Sequence, residues 1–137
     1  MALTELSHVN PITSLIIKAA IEVHTRLGPG LLESIYVKCM VLEMQHLGLQ
    51  VAKDLRVPLI YRDVPVDCPL ALDLMVNDAV AVEVKCVEYV TPVHEAQLLT
   101  YMKLTGREAG LLLNFNVARM ADGIRRKLNT RPTSTSI

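Results

Sequence analysis

The sequence predicts an α/β domain in which a mixed β-sheet is flanked by helices. Three observations carry this expectation. Two stretches near the start repeat their apolar residues with a helical period. Two β-rich runs, 71–76 and 79–87, flank Asn77-Asp78, a pair suited to a hairpin turn. A helix start at Thr91-Pro92 then leads into a continuous apolar run at 110–114, the kind of strand buried on both faces. A hairpin, a crossover helix and a buried strand together imply antiparallel and parallel pairing in one sheet.

Each element has its own justification. Asn10 followed by Pro11 reads as an N-cap with proline at the first helical position. Ile12, Leu15, Ile16, Ala19, Ala20, Val23 and Leu27 then form one apolar stripe. Gly28-Pro29-Gly30 breaks the chain. A second helix is expected over 31–47, burying Leu32, Ile35, Cys39 and Leu42, with Gly48 as its C-terminal stop. A short strand at 57–61 begins with Val-Pro and therefore belongs near an edge. Arg62-Asp63 makes a turn, and the hairpin 71–87 follows. The third helix runs from Thr91-Pro92 to about Leu104, with Gly106 ending it. Residues 122–129 fit either a helix or a strand. The resulting order is α-α-β-β-β-α-β, in a single domain spanning 1–137 with its core at about 11–129. The lead-in 1–10 is loose and the tail 130–137 polar.

Composition narrows the function classes. A chain of 137 residues can bury a real core without disulfide or metal staples. With no Trp and one Phe, that core is aliphatic. No apolar run approaches the length of a membrane span, and no signal pattern opens the chain. Cys39, Cys68 and Cys86 are scattered and odd in number, as expected of reduced thiols in a cytoplasmic protein. A formal net charge of +0 argues against strong non-specific nucleic-acid binding. Arg119, Arg125, Arg126, Lys127 and Arg131 against Asp122 form a local basic segment, either a phosphate-facing patch or a solvated surface.

The chemistry sits in the middle of the chain. Glu83 and Lys85 interrupt an apolar strand and, two residues apart, share a face. Alone, this is also how a strand with one wet face reads. Asp73 lies in a second apolar strand, and the intervening turn brings the two strands together. Two carboxylates suit a hard cation such as Mg2+ or Mn2+, and a lysine beside them can stabilise charge developing on a phosphoryl group. A shared site makes a demand on register. A two-residue turn at Asn77-Asp78 pairs Asp73 with Val82 and sends Asp73 and Glu83 to opposite faces. A three-residue turn through Ala79, or a bulge, pairs Asp73 with Glu83. On the third helix, His94, Gln97 and Tyr101 share one face. Glu33 and Tyr36 are similarly spaced on the second helix, where Glu33 also suits the helix N-terminus.

Gly30, Glu33 and Tyr36 match the motif of the GxxExxY family, a group similar to PD-(D/E)XK nucleases. The stretches 27–36 (LGPGLLESIY), 72–85 and 91–115 (TPVHEAQLLTYMKLTGREAGLLLNF) resemble that family, and the likeness extends over about 12–129. The resemblance implies a PD-(D/E)XK restriction-endonuclease-like core. Asp73 and Glu83 would ligate the metal with the Val84 carbonyl, and Lys85 would be the catalytic lysine. Glu33 would be the acidic residue of the preceding helix, and Gln97 the helix polar group beside the site. Tyr36, His94 and Tyr101 would have supporting places. One departure stands out: the basic residue expected two positions before Asp73 is Ala71. Two functional classes follow. One is a metal-dependent nuclease acting on DNA in preference to RNA. The other is a weak or inactive nuclease-fold module that binds nucleic acid or protein. A nearly bare core grips little nucleic acid, so a homodimer is a further expectation.

Overall fold

A computed structural model describes residues 9–129. The expected lead-in, the polar tail and Arg131 lie outside the described residues, apart from Val9 and Asn10. The first helix, α1 (Asn10–Leu27), starts one residue earlier than its Asn-Pro signal suggests. Val9 occupies the cap position and no side chain caps the helix; the Asn10 side chain instead accepts a hydrogen bond from Arg126. Its buried stripe is Ile16, Ala19, Ala20 and Val23, as the period requires. Gly28 and Gly30 both take positive φ, 69° and 99°, which lets the chain reverse on either side of Pro29.

The second helix, α2 (Glu33–His46), begins at the motif glutamate rather than at Leu31. Its buried face is Tyr36, Val37, Met40 and Met44. Of the apolar stripe expected from the sequence, Leu32, Ile35 and Leu42 are exposed, Leu32 by 72% and Leu42 by 67%, while Cys39 packs against the core. Apolar residues lie on both sides of this helix, and the one nearest the sheet is decided by Tyr36. Its hydroxyl donates to Gly28 O and accepts from Leu31 N, and its ring stacks on Phe115 at 4.5 Å between centroids. That anchorage fixes the helix rotation.

The sheet has five strands in the order β1 (Val51–Arg56), β4 (Ala71–Val76), β5 (Val80–Lys85), β6 (Ala109–Asn114) and β7 (Ile124–Leu128). Only β5 and β6 pair in parallel, connected by the crossover helix α3 (Pro92–Thr105). The expected mixed sheet is therefore present. Within residues 122–129 the strand alternative holds for 124–128, because β7 pairs antiparallel with β6 after a short 3-10 turn, Met120–Gly123. β1 was not foreseen, nor was β3 (Val64–Val66). β3 forms a separate hairpin with β2 (Leu59–Tyr61) across the expected Arg62-Asp63 turn.

The sheet divides the core. On one face Leu74, Val82, Leu111 and Phe115 pack with Ile16, Tyr36 and Met40 of α1 and α2. On the other, Leu72, Met75, Ala81 and Leu112 pack with Leu98, Met102 and Leu104 of α3. Two glycines allow close approach. A side chain at Gly110 would run into Met102 and Leu98, so glycine lets α3 lie flat on β6. A side chain at Gly123 would meet the Asn114 main-chain carbonyl. Backbone yields less readily than the end of a methionine. Gly123→Ala is therefore expected to cost about 1–3 kcal/mol and Gly110→Ala less. Urea denaturation of both variants checks the order; Gly110→Ala losing more would reverse this reading.

Candidate metal centre

The site begins with a break in the sheet. The β4–β5 ladder pairs Val76 with Val80, Met75 with Ala81 and Leu74 with Val82, then stops. Residues 77–79 form a three-residue turn, with Asn77 and Asp78 at positive φ and Ala79 N donating to Val76 O. That count places Asp73 opposite Glu83. At this next position side chains replace the main-chain bonds. Asp73 N donates to Glu83 Oε1 at 2.9 Å, and Val84 N donates to Asp73 Oδ2 at 2.9 Å. Each carboxylate uses one oxygen to bridge the strands. The hydrogen bonds of the described residues leave Asp73 Oδ1 and Glu83 Oε2 unengaged.

Strand geometry bears on Val84 as well. The N–H and C=O of one strand residue project to the same side. The Val84 N–H meets Asp73, so its carbonyl also opens toward β4, beyond the last ladder pair. Lys85 projects its carbonyl the other way, where it accepts from Phe115 N at 2.9 Å. Asn114 pins the chain just past Lys85: its side chain accepts from Val87 N and donates to Val87 O. Lys85 thus sits at a strand end held from two directions. It makes no direct ion pair with either carboxylate, although its charge favours their ionised forms.

Electrostatics record how crowded the acids are. Burial, then the charge of Asp73, pushes Glu83 up to about 7, against hydrogen bonding from Asp73 N and the pull of Lys85. Asp73 is raised by burial, with Val84 N–H and Lys85 opposing and Asp54 adding. Glu33 is raised by partial desolvation and then by Asp73. Tyr101 is raised by burial and then by Glu83. The acids therefore feel one another, as closely held carboxylates do.

Gln97, Tyr101, Glu83 and Lys85 border one cleft of about 430 Å³. Leu98 and Met102 on the same helix point into the core. Glu33 does not line this cleft; it lies close enough to Asp73 and Lys85 to feel both charges. His94 serves the helix start instead: its Nδ1 accepts from Thr91 N while Thr91 Oγ1 accepts from His94 N. That reciprocal cap gives His94 a local task away from the cleft. Tyr36 is buried and acts on the Gly28–Leu31 turn that precedes Glu33.

Asp54 was missed. The β1–β4 ladder pairs Lys53 with Leu74 and Leu55 with Leu72, so Asp54 stands opposite Asp73. It takes a positive φ of 52° there and raises Asp73. The basic segment, by contrast, is divided. Arg126 bonds Asn10 of α1, whereas Lys127 pairs with Glu95 of α3 at 2.6 Å. Arg125 donates to the carbonyls of Asp122 and Ile124. Alternation along β7 sends these cations to opposite faces.

Among the described residues no three Asp, Glu, His or Cys side chains converge to hold an ion by themselves. The fit of a metal rests on Asp73, Glu83 and the Val84 carbonyl, three oxygen donors of the hard type. Mg2+ commonly takes one or two carboxylates and completes its shell with water and phosphate. The two unengaged carboxylate oxygens and the raised acids suit such an ion.

A five-stranded mixed sheet flanked by helices is the architecture of a nuclease-like class of α/β domain. Within that class the chain belongs to the PD-(D/E)XK nuclease superfamily, which matches residues 10–127. No curated protein and no solved structure matches it significantly. Among the described residues, no helix is long and apolar enough to cross a membrane.

Proposed function

We propose that this protein is a nuclease that hydrolyses phosphodiester bonds with Mg2+ or Mn2+, acting on DNA in preference to RNA. The observation that carries this reading is the reciprocal bridge of Asp73 and Glu83 across β4 and β5, with Lys85 two residues beyond. Asp73, Glu83 and the Val84 carbonyl would hold the ion. Such an ion would supply Lewis acidity toward a phosphoryl oxygen and would ease loss of a proton from the attacking water near neutral pH. Lys85 stabilises negative charge as it builds on the phosphoryl oxygens. Gln97 offers amide hydrogen bonds from the opposite cleft wall. Glu33, outside the cleft, contributes negative charge close enough to be felt by Asp73 and Lys85, and Tyr36 orients the turn that precedes it. The GxxExxY likeness of Gly30, Glu33 and Tyr36 supports this division of labour. Tyr101 borders the same cleft, and His94 supports it by capping α3. The cytoplasm is the compartment that suits three free cysteines. A second copy of the chain would enlarge the nucleic-acid contact.

The alternative is a nuclease-fold module that binds without turnover. Ala71 in place of a basic residue, and the internal bonding of Arg126 and Lys127, favour it. Two assays separate the readings. Mg2+ or Mn2+ should raise the melting temperature of the wild type by mass action, and cleavage should appear on plasmid, linear or single-stranded substrates. Asp73→Asn should reduce the metal shift. A shift without cleavage on any substrate would favour the binding module, and neither would return Glu83 and Lys85 to an ordinary wet-face pair.

A further inference from the structure

The cleft that Glu83 and Lys85 border also runs along α3. Val93, Ala96, Gln97, Thr100 and Tyr101 line it. Their spacing is that of one helical face, and at 1.5 Å per residue they cover roughly 12 Å. Leu70 forms the other apolar flank. Away from Glu83 and Lys85, this lining carries no charge. A groove that tracks phosphates needs cations along its length, and among the residues lining this one Lys85, at the metal-site end, is the single cation. It offers aliphatic surface from Leu70, Val93 and Ala96, together with the Gln97 amide and two hydroxyls. Thr100 Oγ1 donates to Ala96 O, which leaves it an acceptor toward the cleft. Apolar side chains with a few donors and acceptors beside them can meet the face and edge of an unstacked nucleobase. The volume of about 430 Å³ is in the range of small-molecule sites.

We propose that this cleft is a subsite for an unpaired nucleobase, so that the substrate carries a single-stranded nucleotide next to the scissile phosphate. The proposal rests on the nuclease reading and narrows its substrate class. In a duplex, both faces of a base are stacked and its pairing edge is occupied. Extracting it costs a few kcal/mol, which a neutral cleft in a protein of zero net charge has little phosphate attraction to offset. An unpaired base enters without that cost. Single strands, flaps, overhangs and loops therefore become substrates, and continuous duplex does not.

The test uses the full chain and oligonucleotides carrying 2-aminopurine, either unpaired or within a duplex, in DNA and RNA versions. Binding is followed by 2-aminopurine fluorescence in EDTA, and cleavage in Mg2+ or Mn2+ is followed in parallel. Unpaired probes are expected to bind at least about tenfold more tightly than duplex. Ala96→Phe fills the cleft from an exposed helix position, and Val93→Glu places a charge at its edge; each should weaken unpaired binding about tenfold, with melting temperature as the control for folding. Equal affinity for duplex and unpaired probes overturns the proposal. So does unpaired binding that neither variant changes. Cleavage reports separately on the nuclease reading: base discrimination without cleavage in either metal removes hydrolysis and leaves the base subsite standing.

Discussion

Lys85→Ala is expected to reduce phosphodiester cleavage by about 10²–10³-fold, the scale on which loss of one preorganised charge-stabilising group is felt. The metal-induced rise in melting temperature should persist in the same variant at pH 8. The two effects separate because of where Lys85 stands. It contributes no oxygen to the ion, and its backbone is held independently of its side chain by Phe115 N and by the Asn114–Val87 bonds. Truncating the side chain therefore leaves the strand end in place. It also removes a positive charge that favours ionised Asp73 and Glu83, which pushes both acids further up; once both are deprotonated they attract a cation without a neighbouring ammonium to oppose it. Lys85→Arg should not restore full activity, since a planar, always-charged fork does not reproduce a compact ammonium. Single-turnover cleavage beside a metal titration of melting temperature makes the measurement. If Lys85→Ala lost the metal shift together with cleavage, Lys85 would be holding the site together rather than acting on substrate.

Charged residues inside an apolar strand are legible in a sequence, whereas an edge strand and a helix's rotation are not, and the reason is physical. Glu83 and Lys85 show in the sequence because they interrupt an apolar strand, where charge is costly without a purpose. The α3 start shows because Thr91-Pro92 combines a cap with a fixed φ. β1 did not show because it is an edge strand, largely exposed, in which Ala52, Lys53, Asp54 and Arg56 leave no alternation to read. Asp54 went unseen with it. The rotation of α2 is not legible in the sequence because Leu32 and Leu42 make a convincing stripe, while the residues that orient the helix act through tertiary contacts: the Tyr36 hydroxyl on Gly28 and its ring on Phe115. No local pattern carries that information. Register lay between these cases. Asn77-Asp78 announces a turn, but whether Ala79 joins it depends on the pairing beyond, and that one residue decides whether Asp73 meets Glu83.

Glu83→Gln is expected to stabilise the metal-free protein at pH 8 and to leave it nearly unchanged near pH 4. Glu83 is 7% exposed, and burial with the nearby Asp73 charge pushes it up to about 7 from an ordinary 4.5. Between those values the folded chain holds a proton that the unfolded chain has released. Stability therefore falls as pH rises through that window, and the loss is complete above the folded value. The full difference is on the order of 3 kcal/mol. Asp73 and Glu33, also raised, act in the same direction. Glutamine is neutral throughout and keeps a carbonyl oxygen to accept from Asp73 N, so the strand bridge survives while the charge does not. Urea unfolding in EDTA at several pH values between 4 and 8 gives the comparison. Added Mg2+ or Mn2+ should then close the gap at pH 8 by stabilising the wild type and not the variant, because an ion relieves the same repulsion that glutamine removes. A variant no more stable than wild type at pH 8 would mean that Glu83 is adequately solvated in the absence of metal, and the argument for a cation from carboxylate crowding would fail with it.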